Sequence, residues 1–131
     1  MTDHSYELTV RRSFIAQHFL TVPDPGAEGD PHSHQYTVEV RFGGSELGEY
    51  GYLVDIDAVE AILDDLEGRY RDQLLNELPE FEGHNPSVER FARLFGDRVE
   101  QALTDPTPDQ LQIRMWEDEV SWASHSRSLG T

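Results

Sequence analysis

Two histidines separated by a single residue, His32 and His34, give the strongest chemical signal in this chain. Side chains two apart on an extended strand point the same way, so both imidazoles address one site. A third histidine, His18, closes a preceding strand-like run on the parity of its apolar residues, and the loop after it leads back toward His32. Three neutral imidazoles suit a zinc ion and leave a fourth position open, the arrangement of a catalytic zinc site. The competing reading is a set of loop histidines with no common ligand. Glu117 is the second signal. It continues the parity of Leu111, Ile113 and Met115, so a carboxylate emerges on a face that the strand otherwise buries. A buried carboxylate must be paired or hydrogen-bonded, and a ligand edge bearing a row of N–H donors would satisfy it bidentately. The alternative for Glu117 is a solvated rim residue just past the core.

The elements that position these groups follow from periodicity. Tyr6, Leu8, Val10, Phe14, Ala16, His18 and Leu20 share one parity, which predicts a long half-buried strand over 6–20, bent near Arg12. A Pro- and Gly-rich loop from Val22 to Pro31 follows, then a second strand from about His32 to Phe42, ended by Gly43-Gly44. After a short extended piece, Gly51 to Asp55, the period changes to 3.6. Val59, Ile62, Leu63, Leu66 and Tyr70 form one helical face, with Asp57 as cap and Glu60 completing a capping box. A second helix starts at Asn85-Pro86 with the stripe Val88, Phe91, Ala92, Phe95, Val99 and Leu103, and Asp105-Pro106 to Pro108 stops it. A third strand spans about Leu111 to Glu117 and a fourth about Val120 to His125. The order ββααββ predicts an α+β fold, an antiparallel four-stranded sheet with two helices on one face, as a single domain over 1–131.

Composition narrows the chemistry. There is no cysteine, so thiolate metal sites, disulfides and cysteine nucleophiles are excluded, and any transition-metal site is built from His, Asp or Glu. Twenty-six acidic residues face ten basic ones, all of them Arg, for a net charge of −16. Such a chain repels itself in dilute buffer, whereas at molar salt the Debye length falls to roughly 3 Å. A high-salt cytoplasm is the economical reading; an acidic surface for a basic partner is the other. Nucleic acid and anionic membranes are not expected partners. No apolar run is long enough to span a bilayer, and Met1-Thr2-Asp3-His4 does not read as the start of a signal peptide, so the expected location is cytoplasmic.

Taken in order, Phe14-x-Ala16-x-His18, His32-x-His34-x-Tyr36, Gly51-Tyr-Leu-Val-Asp55, Leu75-Asn76, Asn85-Pro86-Ser87-x-Glu89 and Trp116-Glu117 resemble the motifs of the 6-pyruvoyl-tetrahydropterin synthase and 6-carboxy-tetrahydropterin synthase family over nearly the whole chain. The resemblance implies the tunnelling (T-fold) architecture, whose ββααββ subunits join their sheets into barrels, usually as trimers paired into hexamers. It also implies zinc on His18, His32 and His34, a pterin ring anchored by Glu117 with Ser87 at the substrate, and dihydroneopterin triphosphate or a related pterin as substrate of a lyase.

The departures are as informative. Where the family has a cysteine four residues before its His-Gly-His motif, this chain has Glu28, and Ser33 replaces the glycine. The family's Asp-His pair ahead of Leu-Asn falls on Arg71-Asp72 or on Asp72-Gln73, so the catalytic histidine is lost in either alignment. Glu28 reads either as a general base beside the metal or as one more surface acid. Asp72 reads either as a substitute acid or base or as a solvated helix end. His84 and His125 read as incidental, and Arg71 is one of few cations available to a triphosphate. Three outcomes therefore stand open: a zinc-dependent pterin lyase with altered acid/base residues, including a side-chain-cleaving variant giving 6-hydroxymethyl-dihydropterin; a non-catalytic pterin- and metal-binding homologue; or a likeness of fold alone.

Overall fold

The computed structural model describes residues 5–130, so the reading of Met1 to His4 lies outside the described residues. Six main elements follow one another: β1 (Tyr6–His18), β2 (His32–Gly44), α1 (Ile56–Tyr70), α2 (Val88–Ala102), β3 (Gln110–Trp116) and β4 (Trp122–Ser128). The strands form one sheet in the order β1-β2-β3-β4 with every neighbouring pair antiparallel, which is the predicted ββααββ arrangement. Period-two alternation sends Phe14, Ala16, Tyr36, Val38, Val40, Ile113 and Met115 to one face, where all are buried. The helices cover that face, α1 against β1 and α2 against β3 and β4. Val59, Leu63, Leu66 and Tyr70 of α1 and Phe91, Ala92, Phe95 and Val99 of α2 complete the core.

Local chemistry moves several predicted boundaries. β1 shows no interruption near Arg12, because its register with β2 runs unbroken from Tyr6↔Gly44 to His18↔His32. Arg12 stays on the core-facing side because Glu60, Asp64 and Glu67 of α1 reach it at 2.6, 2.8 and 3.4 Å. β1 stops at His18 rather than Leu20, since the Phe19 amide turns to Asn76 Oδ1 at 2.9 Å. The cap of α1 is Asp55, whose carboxylate accepts from the Asp57 amide at 2.9 Å, not Asp57. Likewise Ser87 caps α2 by accepting from the Arg90 amide at 3.1 Å. Asn85 is unavailable for that task because its side-chain Oδ1 accepts from the Thr21 amide at 2.8 Å. The segment from Gly51 to Asp55 forms bends rather than a strand and buries Leu53 and Val54. β4 begins at Trp122, later than expected, because Glu117 to Ser121 make the hairpin turn.

Candidate metal centre

His18 and His32 are direct cross-strand neighbours at the open end of the β1–β2 ladder, and His34 stands opposite Ala16 one pleat further in. All three lie on the parity of Tyr36, so the pleat turns them toward the helix-covered face. Their rings sit 4.7 to 4.9 Å apart, and the three ligand atoms they offer lie within 4.8 Å of one another. His18 is 1% exposed. Burial makes the polarity of each ring nitrogen matter.

Two of the outer nitrogens are committed. Nδ1 of His18 shares a hydrogen bond of 2.9 Å with the Tyr36 hydroxyl, and Nδ1 of His32 donates to the Asp30 carbonyl at 2.9 Å. The carbonyl partner fixes the His32 proton on Nδ1 and leaves its Nε2 lone pair free, the usual support behind a metal-bound histidine, while the Tyr36 hydroxyl orients the His18 ring. Nε2 of His18, His32 and His34 are all buried and have no hydrogen-bond partner among the described residues. Three inward lone pairs without a donor would be costly in a dry pocket, and a divalent cation satisfies them together. The donor set therefore fits zinc. His34 is pushed below the ordinary histidine range, by burial first, with His18 and His32 adding to it against the pull of Glu117.

Register carried one residue past Thr37↔Trp116 sets Glu117 across from Tyr36, on the same face as the histidines. Its Oε1 lies 3.3 Å from Nε2 of His18 and 3.3 Å from Nε2 of His34. That contact with His18, against the opposing effect of burial, holds the Glu117 carboxyl below the usual range. An open cleft of about 660 Å³ runs from His34 and Glu117 past Gln35 and Trp116 onto the sheet face away from the helices. This is room for a bicyclic ligand with its side chain.

The other predicted site residues are placed less centrally. Glu28 is exposed in the short 3-10 turn Gly26–Gly29; its carbonyl accepts from the Leu20 amide at 2.7 Å, and its side chain makes no hydrogen bond or ion pair among the described residues. Asp72 is also exposed, with φ 61°, and its amide donates to the Ile15 carbonyl at 2.7 Å beside the β1 edge. Ser87 uses its hydroxyl oxygen as the α2 cap. Arg71 pairs with Glu67 at 3.2 Å.

Four residues position the site in ways that the sequence did not assign. Tyr36 reads as core from its parity, and only the register shows its hydroxyl under His18. Asn76 clamps the chain leaving His18 through both Phe19 backbone groups, at 2.9 and 3.0 Å. Asn85 holds the next residues through Thr21. Asp118 ties the turn that carries Glu117 by accepting from the Val120 and Ser121 amides at 2.9 and 2.7 Å. Tyr36, Asn76 and Asn85 lie within motifs that resemble a family's, which is the signal that pointed to them.

The family model described as 6-pyruvoyl tetrahydropterin synthase matches residues 7–128. The 6-carboxy-5,6,7,8-tetrahydropterin synthase of Bacillus subtilis (strain 168) is 27% identical over 133 residues, covering 97% of this chain and 89% of that protein. Among solved structures, 6-pyruvoyl tetrahydropterin synthase from Plasmodium vivax superposes with a TM-score of 0.79 at 15% identity, over 95% of this chain and 98% of that one. A second structure of that protein, in which a glutamate described as a catalytic residue is replaced by cysteine, gives a TM-score of 0.78 at 16% identity over the same shares. At these identities the superpositions establish the T-fold and nothing finer.

Proposed function

Because the chain belongs to the 6-pyruvoyl tetrahydropterin synthase family, we propose that it is a zinc-dependent pterin lyase whose metal is held by His18, His32 and His34. The observation that carries this reading is the convergence of three buried histidine Nε2 atoms, which among the described residues meet only the Glu117 carboxylate. Bound there, zinc supplies Lewis-acid polarisation of oxygens on the pterin side chain. Glu117 accepts the N–H donors of the pyrimidine edge, for which a carboxylate held ionised is suited. Tyr36 and Asp30 keep the His18 and His32 rings oriented through their Nδ1 atoms. The substrate is dihydroneopterin triphosphate or a related pterin.

Glu28 is the proposed base. It stands in the loop that leads into His32, and a relative of the same fold has a glutamate described as catalytic. Asp72 is the second proton carrier. The outer edge of β4 and the outer part of the β1 edge have no strand beside them among the described residues. Free edges of this kind are where sheets of neighbouring subunits continue, so the protein is proposed to assemble as a barrel-forming homo-oligomer.

A second reading is favoured by one observation: neither the Glu28 nor the Asp72 side chain contacts the histidines within one chain. A non-catalytic homologue would then keep the metal and pterin pocket as a binding module. Incubation of the zinc-loaded protein with dihydroneopterin triphosphate in molar KCl, followed by mass spectrometry, separates the two. The enzyme reading predicts a product, and a loss of rate on the order of a hundredfold in Glu28→Gln. Tight pterin binding with the substrate recovered unchanged would establish the binding module instead.

A further inference from the structure

From the arginines that the fold leaves without carboxylates, we propose that His84, Arg90 and Arg93 form a binding site for phosphoryl groups, separate from the three histidines. The proposal does not rest on the metal reading, and failure of that reading leaves it standing.

The pattern of ion pairs singles these residues out. Twenty-six acidic residues surround ten arginines, so a guanidinium meets a carboxylate almost wherever it emerges. Among the described residues every arginine except Arg41, Arg90 and Arg93 stands in an ion pair. Arg41 lies apart, on β2. Arg90 and Arg93 share one cleft, where two like charges a helical turn apart repel each other. Nε of Arg90 is moreover buried with no hydrogen-bond partner among the described residues. A buried donor of this kind is costly unless a ligand answers it.

α2 sets the spacing. Arg90, Arg93, Leu94 and Asp97 recur at three- and four-residue intervals and so lie on one flank of the helix. With His84 from the preceding loop they line an open cleft of about 270 Å³. Arg127 of β4 fixes this flank, since its Nη2 donates to the Arg93 carbonyl at 2.9 Å. Its Nη1 pairs with Asp97 at 2.7 Å, which offsets the charge of the acid that lines the cleft. The backbone that carries His84 is also held: its amide donates to the Phe81 carbonyl at 2.9 Å, and Asn85 beside it is tied to Thr21. Two guanidinium groups present forked N–H donors that match phosphoryl oxygens, and the imidazole adds another donor. Chloride carries one charge and cannot bridge both forks, whereas a phosphoryl group brings several oxygens and up to two charges.

Isothermal titration with inorganic triphosphate, at the lowest KCl that keeps the chain folded, tests the proposal. Zinc-loaded wild type and His32→Ala are both expected to bind it, whereas Arg90→Gln and Arg93→Gln should each lose about tenfold or more in affinity. Arg93 is exposed, so its variant tests the site even where the half-buried Arg90 proves necessary for folding. Arg41→Gln removes the same charge elsewhere and should bind as wild type does. No binding by wild type, an equal loss in Arg41→Gln, or a loss confined to His32→Ala would overturn the proposal. Wild-type affinity in both α2 variants, with a smaller assembly in sedimentation, would also overturn it and make the arginines a contact between copies. Dihydroneopterin triphosphate and neopterin identify the source of the phosphoryl group. If the α2 variants weaken binding of the former and spare the latter, the cleft takes the tail of a pterin. If they weaken inorganic triphosphate alone, it takes a free anion.

Discussion

Tyr36 and Glu80 show how single polar tips in an apolar setting decide what their neighbours do. The Tyr36 hydroxyl is hydrogen-bonded to His18 Nδ1, and Tyr36→Phe leaves that ring nitrogen without its partner. Loss of such a support costs about tenfold or more in metal affinity, and chelator competition should show that shift with the fold unchanged by circular dichroism. Glu80 lies in the loop after α1 and binds three groups at once, the guanidinium groups of Arg69 and Arg98 and the Tyr70 hydroxyl. Burial, the largest influence on Glu80, pushes its carboxyl up; the hydrogen bonds from Arg69 and Tyr70 outweigh it and pull it down from 4.5 to about 2. A depressed carboxyl stabilises the fold fully above its unfolded value, and that contribution fades as pH falls from about 4.5 through about 2. Thermal melts should therefore fall over this window in wild type and fall less steeply in Glu80→Gln. At neutral pH the substitution should cost about 2 kcal/mol, below the cost of breaking a fully buried pair, because the arginines are partly solvated. At this scale the sequence was readable where period two applies. His32, His34 and Glu117 could be placed on the core-facing parity without a structure. Glu80 and the Arg12 cluster could not, because their charge partners come from other elements and leave no local pattern.

The elements were legible in kind and order, and less so at their ends. Both helices form where the apolar stripes predicted them, since Val59, Leu63 and Leu66 or Phe91, Phe95 and Val99 can be buried together only at 3.6 residues per turn. Their caps were misread because several side chains nearby are chemically able to cap, and tertiary demand chooses among them. Asp55 caps α1, so Asp55→Ala should cost about 1 kcal/mol in urea unfolding, whereas Asp57→Ala should cost a few tenths at most. Asn85 was drawn off to Thr21, which left the α2 cap to Ser87. Packing of α2 supports the site from beneath. Phe91 makes ring contacts with Phe14, Tyr36, Tyr70, Phe81 and Phe95. Phe91→Ala should cost about 4 kcal/mol, measured by urea unfolding in molar salt. It should also weaken metal binding, because Tyr36 rests on that ring.

For the whole molecule, the dominant facts are a charge of −16 on 131 residues and a site at the end of one sheet. The charge predicts a melting temperature that climbs as KCl is raised from about 0.1 M toward 2 M, most of the gain coming while the Debye length is still shrinking from about 10 Å. A flat profile would mean that the acids do not oppose folding. Catalytic residues are where the sequence was least informative, since Glu28 and Asp72 are exposed acids in a chain rich in them, and one chain alone does not bring them to the histidines. All of the proposed chemistry depends on the histidines holding a metal. The most direct test is the zinc content, by inductively coupled plasma mass spectrometry, of the wild-type protein and His32→Ala after zinc loading and exhaustive dialysis in molar salt. One zinc per wild-type chain and essentially none in the variant is the predicted result; a wild-type chain free of zinc, or a variant that retains it equally, would contradict the account.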